Sequence, residues 1–282
     1  MSAPRTLASG FAFPEGPRWH QGQLWFSDQH DGAVIVLDPD GTVVERIAVP
    51  GGPSGMGWMP DGTLLVTSMH ERRLYRRDAE GQLAVQADLS PFHPGHSNDM
   101  VVDAAGRAYA GNIGYDFNGG EEPRPTCIAA IAPDGTATIA ADALDCPNGT
   151  VITPDGKTLI VAESMGNRLT AFDIAGDGTL SNRRVFAQLG DHIPDGICLD
   201  AEGAIWAASP YAGQVIRVRE GGAIVDSVTI AGAKPYACML GGADGCDLYI
   251  CCASDHNPQV TVKDRTGRID VARVAVPGAG RP

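Results

Sequence analysis

Six polar side chains recur at one register of this 282-residue sequence: Glu15, Ser54, Asn98, Asn148, Asp195 and Tyr236. Four of them are carboxylates or carboxamides, two anionic (Glu15, Asp195) and two neutral (Asn98, Asn148). Oxygen ligands in that mixture suit a hard divalent cation such as Ca²⁺ or Mg²⁺. Two carboxylates offset one M²⁺, whereas buried carboxylates left unpaired are strongly disfavoured. At any single position an Asp or Asn is simply a good turn starter. The same register in four units is what points to a shared site. Ser54 has no base partner in the pattern and no Gly-x-Ser-x-Gly elbow is present, so Ser54, with Tyr236, reads as pocket lining rather than as a nucleophile.

Each of these residues opens a repeat. The openings fall near residues 14, 53, 97, 147, 194 and 235, giving units of 39–50 residues. In every unit a short apolar run leads to a turn such as Asp61-Gly62, Asp155-Gly156 or Asp244-Gly245, and a second apolar run follows. Further Asp-Gly turns, among them Asp40-Gly41 and Asp134-Gly135, lie where third and fourth strands connect. Units of this length built from short strands are propeller blades. The expected fold is therefore all-β: a six-bladed β-propeller forming one domain over residues 1–282. Residues 2–11 and 268–276 share the closing blade. The first strand of each blade lines the central channel, so the six opening residues project to one end of it. No helical stripe of useful length exists, which excludes a (β/α)₈ barrel.

Composition narrows the function classes. With 21 Lys and Arg against 34 Asp and Glu the net charge is −13. That argues against nucleic acid and against an anionic membrane surface as partners. The start, Met1-Ser2-Ala3-Pro4-Arg5, has no secretory pattern, and no run approaches a membrane span, so a cytoplasmic protein acting on a small molecule is expected. The seven cysteines show no metal-ligand spacing and read as reduced thiols, mostly buried in strands.

The segments also carry a family resemblance. Phe13-Pro14-Glu15-Gly16-Pro17-Arg18-Trp19, followed by Leu24-Trp25-Phe26-Ser27-Asp28, resembles the E-G-P-x-W…L-x-x-x-D start of the senescence marker protein/gluconolactonase (regucalcin-like) family. Asn98-Asp99 with Gly106-Arg107, Pro147-Asn148-Gly149 with Pro154-Asp155-Gly156, and Pro194-Asp195-Gly196 with Gly203 and Trp206 are similar to its next segments, in order. The resemblance runs from about residue 13 to 250. It implies a six-bladed lactonase with one divalent metal held by Glu15, Asn148 and Asp195, and Asn98 beside it on the substrate. Ca²⁺ is the first expectation for the ion, with Mg²⁺, Mn²⁺, Zn²⁺ and Fe²⁺ also accommodated by oxygen-rich sites. Asp195 matches the family's candidate general base. His96 stands where the family's sugar lactonases carry an Arg on substrate oxygens, and Asp116 falls near an acidic substrate contact of animal members.

The function expected is metal-dependent hydrolysis of a lactone, with the cation polarising the carbonyl and Asp195 assisting attack by water. Competing readings are an arylesterase or phosphotriesterase on the same site, a propeller that binds a ligand without chemistry, and a non-hydrolytic strictosidine synthase-like enzyme. The converging carboxylates and amides count against the last two.

Overall fold

The computed structural model describes residues 3–117 and 119–281. Among them, 24 strands form six four-stranded antiparallel sheets arranged as the blades of a propeller. The innermost strands are Pro14–His20, Pro53–Trp58, Ser97–Val102, Pro147–Ile152, Ile197–Leu199 and Lys234–Gly241, opening blades 1 to 6. Five of them start within one residue of the position the repeat predicts. In blade 5 the regular ladder begins only at Ile197, although Asp195 already bonds the second strand. The Asp195 N–H donates to the Ala208 carbonyl, and the Gly196 N–H donates across to Tyr236 in blade 6. Arg5–Phe11 pairs with Gly267–Arg273 as the outermost strand of blade 6, so the start of the chain closes the ring as expected.

Apolar side chains lie between the sheets. One cluster joins blades 4 and 5 (Val151, Ile160, Ile205, Ile216), the next blades 5 and 6 (Trp206, Cys238, Leu248), the next blades 6 and 1 (Phe26, Tyr249, Ile269). Three more complete the circuit. Every sheet thus buries both faces near the channel, while the outer strands are largely exposed, as in Val43–Ala48, where Ile47 alone is buried. The seven cysteines are free thiols, six of them buried. The longest helix is Pro258–Asp264, two turns capped by the Asn257 side chain on the Gln259 N–H. No described helix is long and apolar enough to cross a membrane.

The glycine that follows the polar opener has a steric cause. At Gly149 an added Cβ would sit 2.4 Å from the Ile197 nitrogen and 2.7 Å from the Asp195 carbonyl oxygen. Inner strands of adjacent blades approach too closely there for any side chain. Gly149→Ala should therefore force blades 4 and 5 apart and cost about 1–3 kcal/mol, the usual toll of overpacking. Gly176→Ala, where nothing lies within 4 Å and φ is ordinary, is the control. Equal denaturation midpoints for the two variants would refute this cause. In blade 3 the glycine position is occupied by Asp99, whose side chain enters the channel instead.

The C-terminal residues cross the far end of the channel. Ile152 exchanges both backbone hydrogen bonds with Arg281, and the Ala279 N–H donates to the Leu199 carbonyl. That end keeps a cavity of its own, lined by Arg18, Trp58, Val102 and Arg281, while the openers stand at the opposite end.

Candidate functional site

Antiparallel pairing explains which loops meet the opening residues. Pro14 pairs with Asp28, Pro53 with Ser68, Ser97 with Asn112, Pro147 with Glu163 and Pro235 with Cys252. The start of each first strand and the end of each second strand therefore share one end of the ring. A pocket forms there, walled by Asn98, Asn148, Asp195 and Tyr236 from the openers. The loops that follow the second strands add Gln29, His30, Met69, Tyr115, Phe117, Ser164, Met165, Tyr211 and His256.

The openers are tied together. The Asn148 amide donates one proton to Asp195 Oδ1 at 2.5 Å and one to Ser164 Oγ at 3.2 Å, and Ser164 Oγ donates to the Pro194 carbonyl at 2.7 Å. Asn98 Nδ2 donates to the Pro147 carbonyl at 3.3 Å. Ser54 Oγ lies 3.5 Å from Asn98 Oδ1 and accepts from Gln29 Nε2 at 3.2 Å. Glu15 is buried, its Oε2 accepting from the Gly16 N–H at 2.6 Å. The Tyr236 hydroxyl is buried without a hydrogen-bond partner among the described residues, and the charges of Asp195 and Glu15 reach it.

Electrostatics set these carboxylates apart. Burial holds Glu15 well above the ordinary carboxylate range, and the nearby Asp195 charge adds to the effect. Asp195 is pushed up to about 7, chiefly by burial, against the opposing hydrogen bond from Asn148. The neighbouring buried cation, Arg18, lowers Glu15 only slightly, and the charge of its partner Asp99 pushes both carboxylates the other way. The Arg18 guanidinium is spent on Asp99 Oδ1 at 2.6 Å and on the carbonyls of Met100, Met56 and Pro17. Asp99, inside the strand Ser97–Val102, in turn accepts from the Met100 N–H at 2.9 Å, and nothing in its sequence position points to its ion pair with Arg18.

The residues fit a divalent cation. Once Arg18 and Asp99 cancel, Glu15 and Asp195 carry the two uncompensated charges of the site. Each prospective ligand also keeps an oxygen with no hydrogen-bond partner among the described residues: Glu15 Oε1, Asn148 Oδ1 and Asp195 Oδ2. Among the described residues no cluster of three or more His, Cys, Asp or Glu side chains is arranged for a metal. The candidate set has two acidic members and is completed by an amide.

The remaining candidates separate. His96 lines the pocket, and its Nε2 lies 3.2 Å from His70 Nδ1. Asp116 is exposed beside the pocket, outside its wall, and accepts from the Gly119 N–H at 2.8 Å. His192, three residues before Asp195 in the chain, pairs with Ser209 Oγ at 3.2 Å and lies outside the wall.

The chain belongs to the SMP-30/Gluconolactonase/LRE-like family, which it matches over residues 13–254. Chicken regucalcin is 34% identical over 56% of this chain and 54% of its own, so that alignment spans about half of each protein. The 6-deoxy-6-sulfogluconolactonase of Pseudomonas putida is 27% identical over 95% of this chain and 93% of its own. Among solved structures, a calcium-binding regucalcin from Agrobacterium tumefaciens superposes with a TM-score of 0.83 at 25% identity, covering 99% of this chain and 96% of the other.

Proposed function

We propose that the protein is a divalent-metal-dependent hydrolase of lactones. The observation that carries this reading is the pair of buried carboxylates, Glu15 and Asp195, left without a countercation while Arg18 is committed to Asp99. The lactonase named among its relatives, matched over nearly the full length of both chains, supports the reaction class. Glu15, Asn148 and Asp195 would hold the ion, and Ca²⁺ is favoured by the description of the Agrobacterium relative as calcium-binding. Bound there, a divalent cation supplies Lewis acidity toward an ester carbonyl and steadies charge developing on its oxygen.

The chain's own residues do the rest. Asp195 takes a proton from the water that attacks the acyl carbon. The ring C–O bond then breaks, and the proton passes to the departing alkoxide, giving a hydroxy acid. Asn148 holds the Asp195 carboxylate in place through its amide proton, and Ser164 fixes Asn148. Asn98 and Tyr236 offer neutral polar contacts to the substrate, with Ser54 setting the Asn98 amide. The direct test is a screen of the chelator-treated protein, with and without added Ca²⁺, Mg²⁺, Mn²⁺ or Zn²⁺, against lactones, aryl esters and phosphotriesters. Cation-dependent opening of lactones is expected. Hydrolysis of aryl esters or phosphotriesters alone would transfer the site to the competing reading.

A pH dependence follows from the same charges. In the cation-free protein the folded-state value of Asp195 lies above its unfolded value, so the folded state binds more protons between them. Stability should fall as the pH rises from about 4 to about 7, where the buried carboxylate is forced to ionise. A divalent cation removes that penalty by pairing with the ionised form. Thermal unfolding should therefore show a larger gain from Ca²⁺ at about pH 8 than at about pH 5. Equal gains at both pH values would contradict it.

A further inference from the structure

The pocket wall contains no lysine or arginine among the described residues. Its three histidines are each engaged, His256 packing on Phe117 with ring centroids 5.5 Å apart and facing Asp255 Oδ1 at 3.7 Å. His30 stacks on Phe13 at 4.6 Å and bonds Thr261, and His96 is paired with His70. The wall itself offers no fixed cation to a sulfonate, phosphate or carboxylate; the rim lysine, Lys234, lies over the ring of Tyr211, 5.6 Å from its centroid. The amides of the wall are also largely spent on the protein itself: Gln29 on Ser54, Asn98 on Pro147, Asn148 on Asp195 and Ser164. A polyol would therefore lose hydration at several hydroxyls without recovering it.

Apolar surface is what the pocket supplies. Phe13, Met69, Ile113 and Ile193 line it. At its rim stand Phe117, Met165 and Tyr211, exposed by 38%, 42% and 62%. Most other exposed large apolar residues, such as Val43, Ile139 and Ile224, are dispersed along the outermost strands of different blades. The rim is instead a cluster around one opening, which is the arrangement that marks a ligand surface. The unpartnered hydroxyl of Tyr236 is left as a donor beside Asp195.

We infer that the site takes an uncharged lactone with an apolar body, an alkyl-substituted cyclic ester whose ester group faces Asp195 and Tyr236 while its hydrocarbon chain lies against Phe13, Met69, Phe117, Met165 and Tyr211. The inference rests on the hydrolase reading for the reaction and on the pocket wall for the substrate class.

The test compares kcat/KM for δ-decanolactone, D-glucono-δ-lactone and an alkyl δ-lactone bearing a terminal sulfonate, in Ca²⁺. δ-Decanolactone should be preferred over both by roughly 10²-fold, the worth of burying a few methylenes without an unpaired polar group. Phe117→Ser combined with Tyr211→Ser should lower kcat/KM for δ-decanolactone about tenfold, chiefly through KM. Met165→Arg should narrow the gap to the sulfonated lactone. A preference for the glucono or the sulfonated lactone overturns the inference and leaves the hydrolase reading intact. Calorimetric titration with the two corresponding lactams, which resist hydrolysis, separates the opposite case. If no lactone is opened yet the alkyl lactam binds more tightly than the gluconolactam, the hydrolase reading falls and the apolar pocket stands. If the gluconolactam binds as tightly or better, the pocket assignment falls.

Discussion

Asp195→Asn, assayed at saturating divalent cation, should lower kcat for lactone hydrolysis by about 10²-fold or more, the loss that accompanies removal of a general base. The substitution keeps the shape of the side chain and an oxygen for the cation, so the ion should still bind, though more weakly. It removes the carboxylate that accepts the water proton. It also leaves one oxygen where two served, so the cation and the Asn148 amide, now 2.5 Å from Oδ1, can no longer each have an oxygen of their own. Steady-state rates over a range of Ca²⁺ concentrations separate the two effects. A variant that regains wild-type kcat once cation is saturating would show Asp195 to be a ligand and nothing more, and the base would have to be sought at Glu15.

The largest effect on stability should come from Arg18. Its side chain is 3% exposed and that of Asp99 8%, and they meet at 2.6 Å in the channel. Arg18→Met leaves the Asp99 carboxylate buried without its partner and frees the carbonyls of Met56 and Met100 from their donor. Breaking a buried pair from one side typically costs about 3–5 kcal/mol, because the remaining charge is uncompensated. Adding Asp99→Asn to Arg18→Met should recover a substantial part of that loss. Denaturant midpoints of the single and double variants decide it. If Arg18→Met unfolds at the wild-type midpoint, Arg18 does not balance the channel, and the claim that Glu15 and Asp195 carry its excess charge loses its basis.

What was legible in the sequence was whatever repeats. The Asp-Gly turns and the Pro-x-Gly openers recur because every blade needs the same tight turns and the same close approach of inner strands, so fold, blade count and the closing strand could all be read. Four of the openers, Asn98, Asn148, Asp195 and Tyr236, meet in the pocket wall for the same reason, whereas Glu15 and Ser54, the latter expected to line the pocket, lie outside it. What stood outside the repeat was harder. Asp99 occupies a position that is glycine in four of the other blades, yet it completes an ion pair with Arg18, a residue 81 positions away. The pocket wall comes from loops whose composition differs from blade to blade: Gln29-His30 in one, Tyr115 and Phe117 in a longer one, Pro210-Tyr211 in another. Their shared place after the second strand was a usable signal, since antiparallel pairing puts that point beside the opener. His96 was found through its closeness to Asn98, but its partner His70 lies in the loop after the second strand of blade 2, and only the folded ring brings the two rings together.

The central claim is that Glu15, Asn148 and Asp195 hold a divalent cation. The most direct measurement is calorimetric titration of Ca²⁺ into chelator-stripped wild-type protein and into Glu15→Gln, Asn148→Leu and Asp195→Asn, each checked for folding by thermal unfolding. The wild type should show a single class of site at one ion per chain. Each substitution should weaken it by at least the roughly 10–100-fold that even outer-shell changes bring to metal sites. Wild-type protein that takes up no Ca²⁺, Mg²⁺, Mn²⁺ or Zn²⁺, or three folded variants that bind as tightly as the wild type, would contradict the assignment.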